Sequence, residues 1–376
     1  MGNRKTFDFG IFITVLILLS IGITMVFSAS SAYSFYKNNG DSYKFLRNQL
    51  LWACIGFVAM TFMVCYDYRK LGKYSALFLA VSIALLIIVL ILPANEDRVK
   101  RWILFKGFSI QPSEVTKIAM ILFFSYSLSK HKDKLPNFYK GLVPYLLIMG
   151  FIMGLLMLEP HLSATVMIAC IGVILLVIAG AKIKHFAILS IPAIIALTAA
   201  IIAEPYRLRR LTGFFNPFAD IRGDTWQIVN SLYAIGSGSW FGKGLGRSLQ
   251  KFLYIPEPHN DFIFAIFAEE TGFIGAFIVI LLFLIFIWRG MKVAINAPDL
   301  FGSLLAAGIT SWIAVQMIIN IAVVTSSMPV TGMQLPFFSY GGSSLLFLMT
   351  GVGILLNISR YNVKGHTSSR NGSYRG

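Results

Sequence analysis

Pro256-Glu257-Pro258-His259-Asn260-Asp261-Phe262-Ile263-Phe264 marks the point where a polar stretch gives way to a long apolar one. From residue 260 to 288 the only charged side chains are Asp261, Glu269 and Glu270. As a helix rising about 1.5 Å per residue, such a run is long enough to cross a hydrocarbon core of about 30 Å. A carboxylate at that boundary is costly unless it is paired or used. Asp261 therefore stands out before anything else is known.

Working outward, comparable apolar runs lie at 9–29, 48–66, 74–92, 114–129, 141–158, 163–180, 186–203, 302–324 and 342–358. With 260–288 they predict ten transmembrane helices, an even number that puts both termini on one side. The runs are continuous rather than alternating, which favours helices over a barrel, because a helix satisfies its own backbone in lipid. Apolar residues make up 57% of the chain and charged ones 13%, with a mean hydropathy of +0.74. The expected fold class is all-α: a polytopic membrane protein with a single domain over 1–360, a large extracytoplasmic loop at 204–258 between the seventh and eighth spans, and a short polar, disordered tail at 361–376.

Orientation follows from Lys and Arg. With the N-terminus in the cytoplasm, Arg4, Lys5, Arg69, Lys70, Lys73, Lys130, Lys132, Lys134, Lys140, Lys182, Lys184, Arg289, Lys292, Arg360 and the tail cations lie inside. The short outer loops hold fewer, so the positive-inside rule places both termini in the cytoplasm. The 204–258 loop departs from that rule, since it adds Arg207, Arg209, Arg210, Arg222, Lys243, Arg247 and Lys251 outside, which suggests an anionic ligand there. A net charge of +16 divided between two membrane faces makes no nucleic-acid stripe. The three cysteines, Cys54, Cys65 and Cys170, fall inside predicted spans as packing residues, and the five histidines are too scattered for a metal site. The first apolar run is too long for a cleaved signal peptide, and no internal repeat is evident.

Several polar clusters carry more than one reading. In Gln111-Pro112-Ser113-Glu114-Val115-Thr116-Lys117 the acid and base share a helix face, fitting either a capped helix with an internal ion pair or a substrate cavity. Glu159-Pro160-His161 fits a tight hairpin between spans or a polar site. Asp261, with Glu257, His259, Glu269 and Glu270 near it in sequence, fits a general base raised in pKa by apolar neighbours, while Asn260 or Asp261 equally suits a helix N-cap. The glycine run from Gly236 to Arg247 fits an anion-binding concavity or a flexible surface loop. Pro329 to Ser344, with its helix breakers at membrane depth, reads as a cavity wall.

Together these stretches resemble the SEDS family of bacteria (shape, elongation, division and sporulation), the FtsW, RodA and SpoVE proteins. The resemblance runs nearly end to end, through Phe45-Leu46-Arg47-Asn48-Gln49, Lys100-Arg101-Trp102-Ile103, Gln111 to Lys117, Asn216-Pro217-Phe218, Trp226-Gln227 through Gly246, Pro256 to Phe264 and Pro329 to Ser344. Asn320 to Thr325 and Glu257-Pro258-His259 are closer to the FtsW and SpoVE branch. The resemblance implies a peptidoglycan glycosyltransferase that polymerises lipid II at the outer face of the cytoplasmic membrane, in cell division or sporulation, with Asp261 matching the family's essential aspartate.

Arg47, Arg101 and Lys117, on that resemblance, and Arg210 and Lys243, on charge and location, are expected to steady the departing pyrophosphate, and Glu114, Glu159, Gln227, Glu270 and Ser339 to surround the substrate. A divalent cation, Mg2+ or Mn2+, suits the pyrophosphate chemistry, with no ligand assigned. The expected partners are a class B penicillin-binding protein transpeptidase and other division or sporulation proteins. The sequence departs from the family where Pro160-His161-Leu162-Ser163-Ala164 replaces Pro-Asp-Leu-Gly-Thr: either Glu159 takes over that acid's electrostatic role or the site is tuned differently. A lipid II flippase or a non-catalytic scaffold are the readings from other classes.

Overall fold

The computed structural model describes residues 6–92, 101–105, 108–202, 205–218, 223, 225–252 and 254–362. The helices are α1 (Phe9–Lys37), α2 (Lys44–Cys65), α3 (Tyr68–Lys73), α4 (Ser75–Ile91), α5 (Pro112–Lys130), α6 (Val143–Leu158), α7 (Leu162–Ile178), α8 (Ile183–Ile202), α9 (Pro205–Phe215), α10 (Trp226–Ser237), α11 (Ile263–Ile295), α12 (Leu300–Val324) and α13 (Gly342–Ser359). Each of the ten apolar runs coincides with one of them. Six helical segments are long and apolar enough to cross a membrane: Phe9–Lys37, Lys44–Cys65, Phe138–Leu158, Ile263–Ile295, Leu300–Val324 and Gly342–Ser359. Ser75–Ile91 and Leu162–Ile178 are shorter apolar helices. This is a multi-pass membrane protein. The tail expected to be disordered falls, from residue 363 on, outside the described residues, as do Arg98, Lys100, Lys106 and Arg222.

The all-α expectation needs one correction. Ile103–Phe105 (β1) and Phe108–Ile110 (β2) form an antiparallel hairpin, with Ile103 opposite Ile110. Its pairing satisfies backbone groups locally just before α5, where Pro112 fixes the helix start and Glu114 complements the first turn.

α12 lies at the centre, packed against α5, α7, α11 and α13, and its Trp312 is fully buried. α1 lies against α2 and α11, and α13 against α2. Large apolar side chains such as Phe57, Val58, Phe62, Leu77, Leu147, Phe277 and Leu284 remain exposed, as a lipid-facing surface requires.

The 204–258 stretch is not an unstructured loop. It contains α9 and α10, and its glycine run is folded onto α11. Lys243 and Gly244 donate their backbone N–H groups to the carbonyls of Glu269 and Glu270 at 3.0 Å each, while Phe273 and Ile274 donate to Ser239 and Trp240 at 2.8 and 3.2 Å. Those bonds straddle a break in α11 at Gly272, whose φ is 70°. Gly242, at φ 78°, faces it so closely that a Cβ on either residue would overlap the opposing backbone. The run is thus neither an open nest of amides nor a flexible loop, because at least two of its N–H groups and two of its carbonyls are spent on α11.

Candidate active site

The segment between α12 and α13 is irregular, and two amide side chains of α12 hold it. Asn320 Nδ2 donates to the carbonyls of Asp261 (2.7 Å) and Met333 (2.6 Å). One helical turn earlier Gln316 Nε2 donates to the Gln334 carbonyl at 3.0 Å. Gln334 in turn donates to the Tyr340 carbonyl at 3.0 Å, and the Leu335 N–H donates to Ser339 Oγ at 2.8 Å. Ser163 Oγ donates to the Thr331 carbonyl. Backbone that would otherwise be orphaned inside the bundle is thereby satisfied. The sequence reading missed Gln316 and gave Asn320 no role; two amides four residues apart on an apolar helix were the available signal.

Asp261 does not cap α11. The cap position is Phe262, which makes no side-chain cap bond. The Asp261 carboxylate instead lies against Gly332, where a Cβ added to the glycine would sit 3.8 Å from Asp261 Oδ2. Gly332 also lines a cavity of about 140 Å3, together with Arg101, Trp102, Gln111, Glu114, Lys117 and His161. Asp261 therefore adjoins a polar cavity across a residue with no side chain. Burial pushes its pKa up to about 6, partly offset by its own backbone amide and by Arg210, with Glu257 pushing it further up.

Arg101, Glu114 and Lys117 come together in that cavity. Lys117 Nζ is 2.8 Å from Glu114 Oε1, with both side chains buried, and stands 5.1 Å from the centre of the Trp312 ring. The ion pair expected of the Gln111–Lys117 stretch is present, and it forms part of the cavity wall. Arg101 bonds the Glu159 carbonyl at 3.3 Å and the Pro160 carbonyl. Arg210 Nη1 donates to the Val330 carbonyl at 3.0 Å, two residues from Gly332.

Glu159 is fully buried, and neither carboxyl oxygen has a hydrogen-bond partner. Burial raises its pKa to about 8 against the opposing pull of Arg101. The His161 ring lies in the cavity wall with Nδ1 unpartnered, and burial, then Arg101 and Lys117, lower its pKa to about 3. Both shifts favour the uncharged form near neutral pH, which speaks for a differently tuned site over an ionised Glu159 in place of an acid at position 161. What remains is a cavity in which Arg101 and Lys117 face the neutral His161.

Other expected site residues lie elsewhere. Lys243 pairs with Glu269 at 2.7 Å, and Glu269 also accepts from Ser248 Oγ and from the N–H groups of Leu249 and Gln250 at 3.1 and 3.3 Å. Glu270 pairs with Lys251 at 3.2 Å and accepts from Ser28 Oγ at 2.6 Å. These groups fasten the 237–252 chain to α11 and α1, and neither Lys243 nor Glu270 lines the cavity beside Asp261. Arg47 is exposed and pairs with Asp41. Ser339 is spent on the backbone of its own segment, and Gln227 is half-buried on α10. None of these three lines the cavity. Among the described residues, no group of three His, Cys, Asp or Glu is placed to hold a metal ion, so the divalent cation gains no ligand set here.

The chain matches the family model described as "Cell cycle protein", which covers FtsW, RodA and SpoVE, over residues 9–364. It is 44% identical over 365 residues to stage V sporulation protein E of Bacillus subtilis, covering 96% of this chain and 100% of that protein. It is 41% identical over 356 residues to the probable peptidoglycan glycosyltransferase FtsW of Trichlorobacter lovleyi, covering 94% and 93% of the two chains. Among solved structures, a chain from a peptidoglycan synthase complex that coordinates polymerization and crosslinking superposes with a TM-score of 0.79 at 23% identity, over 94% of this chain and 98% of that one. The rod shape determining protein RodA of Thermus thermophilus gives 0.70 at 23% identity, over 95% and 98%. At those identities the solved structures speak for the fold.

Proposed function

From the premise that the chain belongs to the FtsW, RodA and SpoVE family of cell cycle proteins, we propose that it is a peptidoglycan glycosyltransferase that polymerises lipid II, with Asp261 as the general base. The observation that carries the reading is the placement of Asp261 against Gly332 at the edge of the cavity that holds Arg101, Glu114 and Lys117. Relatives bearing the name peptidoglycan glycosyltransferase supply the reaction class.

In this reading Asp261 takes the proton from the 4-hydroxyl of the acceptor GlcNAc, whose oxygen attacks the anomeric carbon of the donor MurNAc. The bond to undecaprenyl pyrophosphate breaks, and inversion gives a β-1,4 linkage. Pyrophosphate is already a stable anion, so the leaving group needs cations more than a second acid. Arg101 and Lys117 in the cavity and Arg210 beside Val330 meet that need. A pKa of about 6 keeps Asp261 ionised, and basic, at neutral pH. Ten membrane-spanning helices in the cytoplasmic membrane, both termini inside and Asp261 at the outer face, complete the proposal. A class B penicillin-binding protein is its partner in division or sporulation.

The test is purified protein with its transpeptidase partner and labelled lipid II. Wild type should make glycan chains, and Asp261→Asn at equal folded amount should make none. Normal polymerisation by Asp261→Asn would remove the base assignment. Movement of lipid between leaflets by both forms, without polymer, would favour a flippase, and neither activity a scaffold.

A further inference from the structure

The clasp on α11 leaves one part of the chain unexplained. Trp240, Phe241 and Leu245 are 65%, 82% and 64% exposed. A Trp-Phe pair with a nearby Leu presented to water is an apolar patch that a soluble surface rarely keeps. The backbone around them is tied down, because Ser239, Trp240, Lys243 and Gly244 are bonded to Phe273, Ile274, Glu269 and Glu270. The exposure is therefore built in by the fold and is not the product of a loose loop.

The position of the patch says what covers it. The Trp240 ring packs edge-on against Phe273, with centroids 5.3 Å apart, and Phe273 stacks on Phe277 at 6.2 Å. Phe273 and Phe277 begin the exposed apolar stripe of α11, which continues through Leu281 and Leu284 to Trp288. Upstream of Gly272, by contrast, residues 263–270 are all buried. The lipid-facing part of α11 thus starts at the residue that Trp240 touches.

A depth follows from helix geometry. Phe273 precedes Arg289 by 16 residues, which at about 1.5 Å per residue is roughly 24 Å along the helix. Arg289 pairs with Asp8 ahead of α1, and Lys292 lies 5.5 Å from the Trp288 ring, marking the far interface. Against a hydrocarbon thickness of about 30 Å, Phe273 and the Trp240 ring lie just inside the near boundary, the level at which tryptophan collects in membranes. Arg247, exposed on the same turn-rich segment, can remain at the headgroups.

We propose that residues 240–247 form a membrane-inserted tip, with Trp240, Phe241 and Leu245 in the leaflet on the Asp261 side and Arg247 among its phosphates. Monotopic anchors combine the same chemistry, apolar side chains in the acyl boundary and a cation at the surface. Because this tip is bonded to α11 just after Glu270, it fixes the height of the chain that carries Asp261 relative to lipid headgroups. The other occupant of an apolar patch, a partner protein, is an outcome of the test.

The experiment places a nitroxide at Phe241→Cys, with Cys54, Cys65 and Cys170 replaced by Ala, in the full chain reconstituted alone in nanodiscs of phosphatidylglycerol and phosphatidylcholine. Collision with oxygen is compared with collision with a water-soluble nickel chelate. The expected result is high oxygen and low nickel accessibility, matching a label at Phe277→Cys. Nickel accessibility equal to that of a label at Lys44→Cys would overturn the proposal, since the tip would then be in water. Low accessibility to both probes would overturn it too, because protein would then cover the patch. Leu245→Cys gives the same readout if Phe241→Cys does not fold.

Discussion

At the residue scale, the site rests on how burial sets protonation. Asp261, with a pKa of about 6, is a base only when ionised. Polymerisation should therefore fall about tenfold per pH unit below that value and level off above it. A pH–rate profile with no acidic limb near 6 would count against Asp261 as the proton acceptor. Glu159 has the opposite use for its proton. Its folded pKa of about 8 lies above the ordinary carboxylate value of 4.5, so the folded state holds a proton that the unfolded chain releases, and stability falls as pH rises towards 8. His161 and His259 have lowered values of about 3 and 4, and their contributions are nearly complete by the ordinary imidazole value of 6.5. Among the described residues, Glu159 is thus the group whose shift spans pH 6.5 to 8, and at about 1.4 kcal/mol per unit the loss is about 2 kcal/mol. Glu159→Gln, uncharged at every pH, should flatten the decline in thermal stability over that window. Asp261, Arg101, Glu114 and Lys117 were legible in the sequence because a charge beside an apolar run is conspicuous and the resemblance named the same positions. The ion pairs of Lys243 and Glu270 with Glu269 and Lys251 were not legible, since a charged side chain looks the same in sequence whether it meets a ligand or another residue.

At the scale of elements, apolar runs located helices well but said little about polar segments. The runs at 9–29 and 302–324 fall inside α1 and α12, because long stretches without charge leave lipid or core as the only hosts. The 238–252 chain depends on contacts with α11, and no local period in the sequence encodes those. The clasp makes a separable prediction. Lys251 and Glu270 are 3% and 1% exposed, joined at 3.2 Å and shared with Ser28. Removing one charge strands the other, which costs about 3–5 kcal/mol, whereas replacing both with apolar groups can be neutral or better. Lys251→Met alone should therefore lower the unfolding temperature and expose the 238–252 chain to protease, and adding Glu270→Leu should restore most of the loss. If the double variant were as unstable as the sum of the singles, the pair would not be acting as a buried unit.

At the scale of the whole molecule, two independent connections measure the same thickness. Asp8, the N-cap of α1, pairs with Arg289, and Ser28, inside α1, bonds Glu270. Those 20 residues of α1 rise about 30 Å, and the 19 residues separating the same partners in α11 rise nearly as much, which is the depth of a hydrocarbon core. The Asp8 N–H also donates to Ser359 Oγ at 2.9 Å, so the beginning of α1 and the end of α13 share one end of the bundle. Asp261 and the cavity belong to the other end, with Ser28 and Glu270. Arg69, Lys70, Arg289, Lys292 and Arg360 belong to the end that holds the start of α1 and the end of α13, and the proposed orientation makes that end the cytoplasmic one, as the positive-inside rule expects. In cells whose copy lacks the three native cysteines, a membrane-impermeant maleimide should label Lys44→Cys, at the start of α2, without permeabilisation. It should label Lys73→Cys, at the end of α3, only after the membrane is opened. The reverse pattern would put Asp261 on the cytoplasmic face, away from any glycan strand under construction, and the proposed polymerase reading would fall with it.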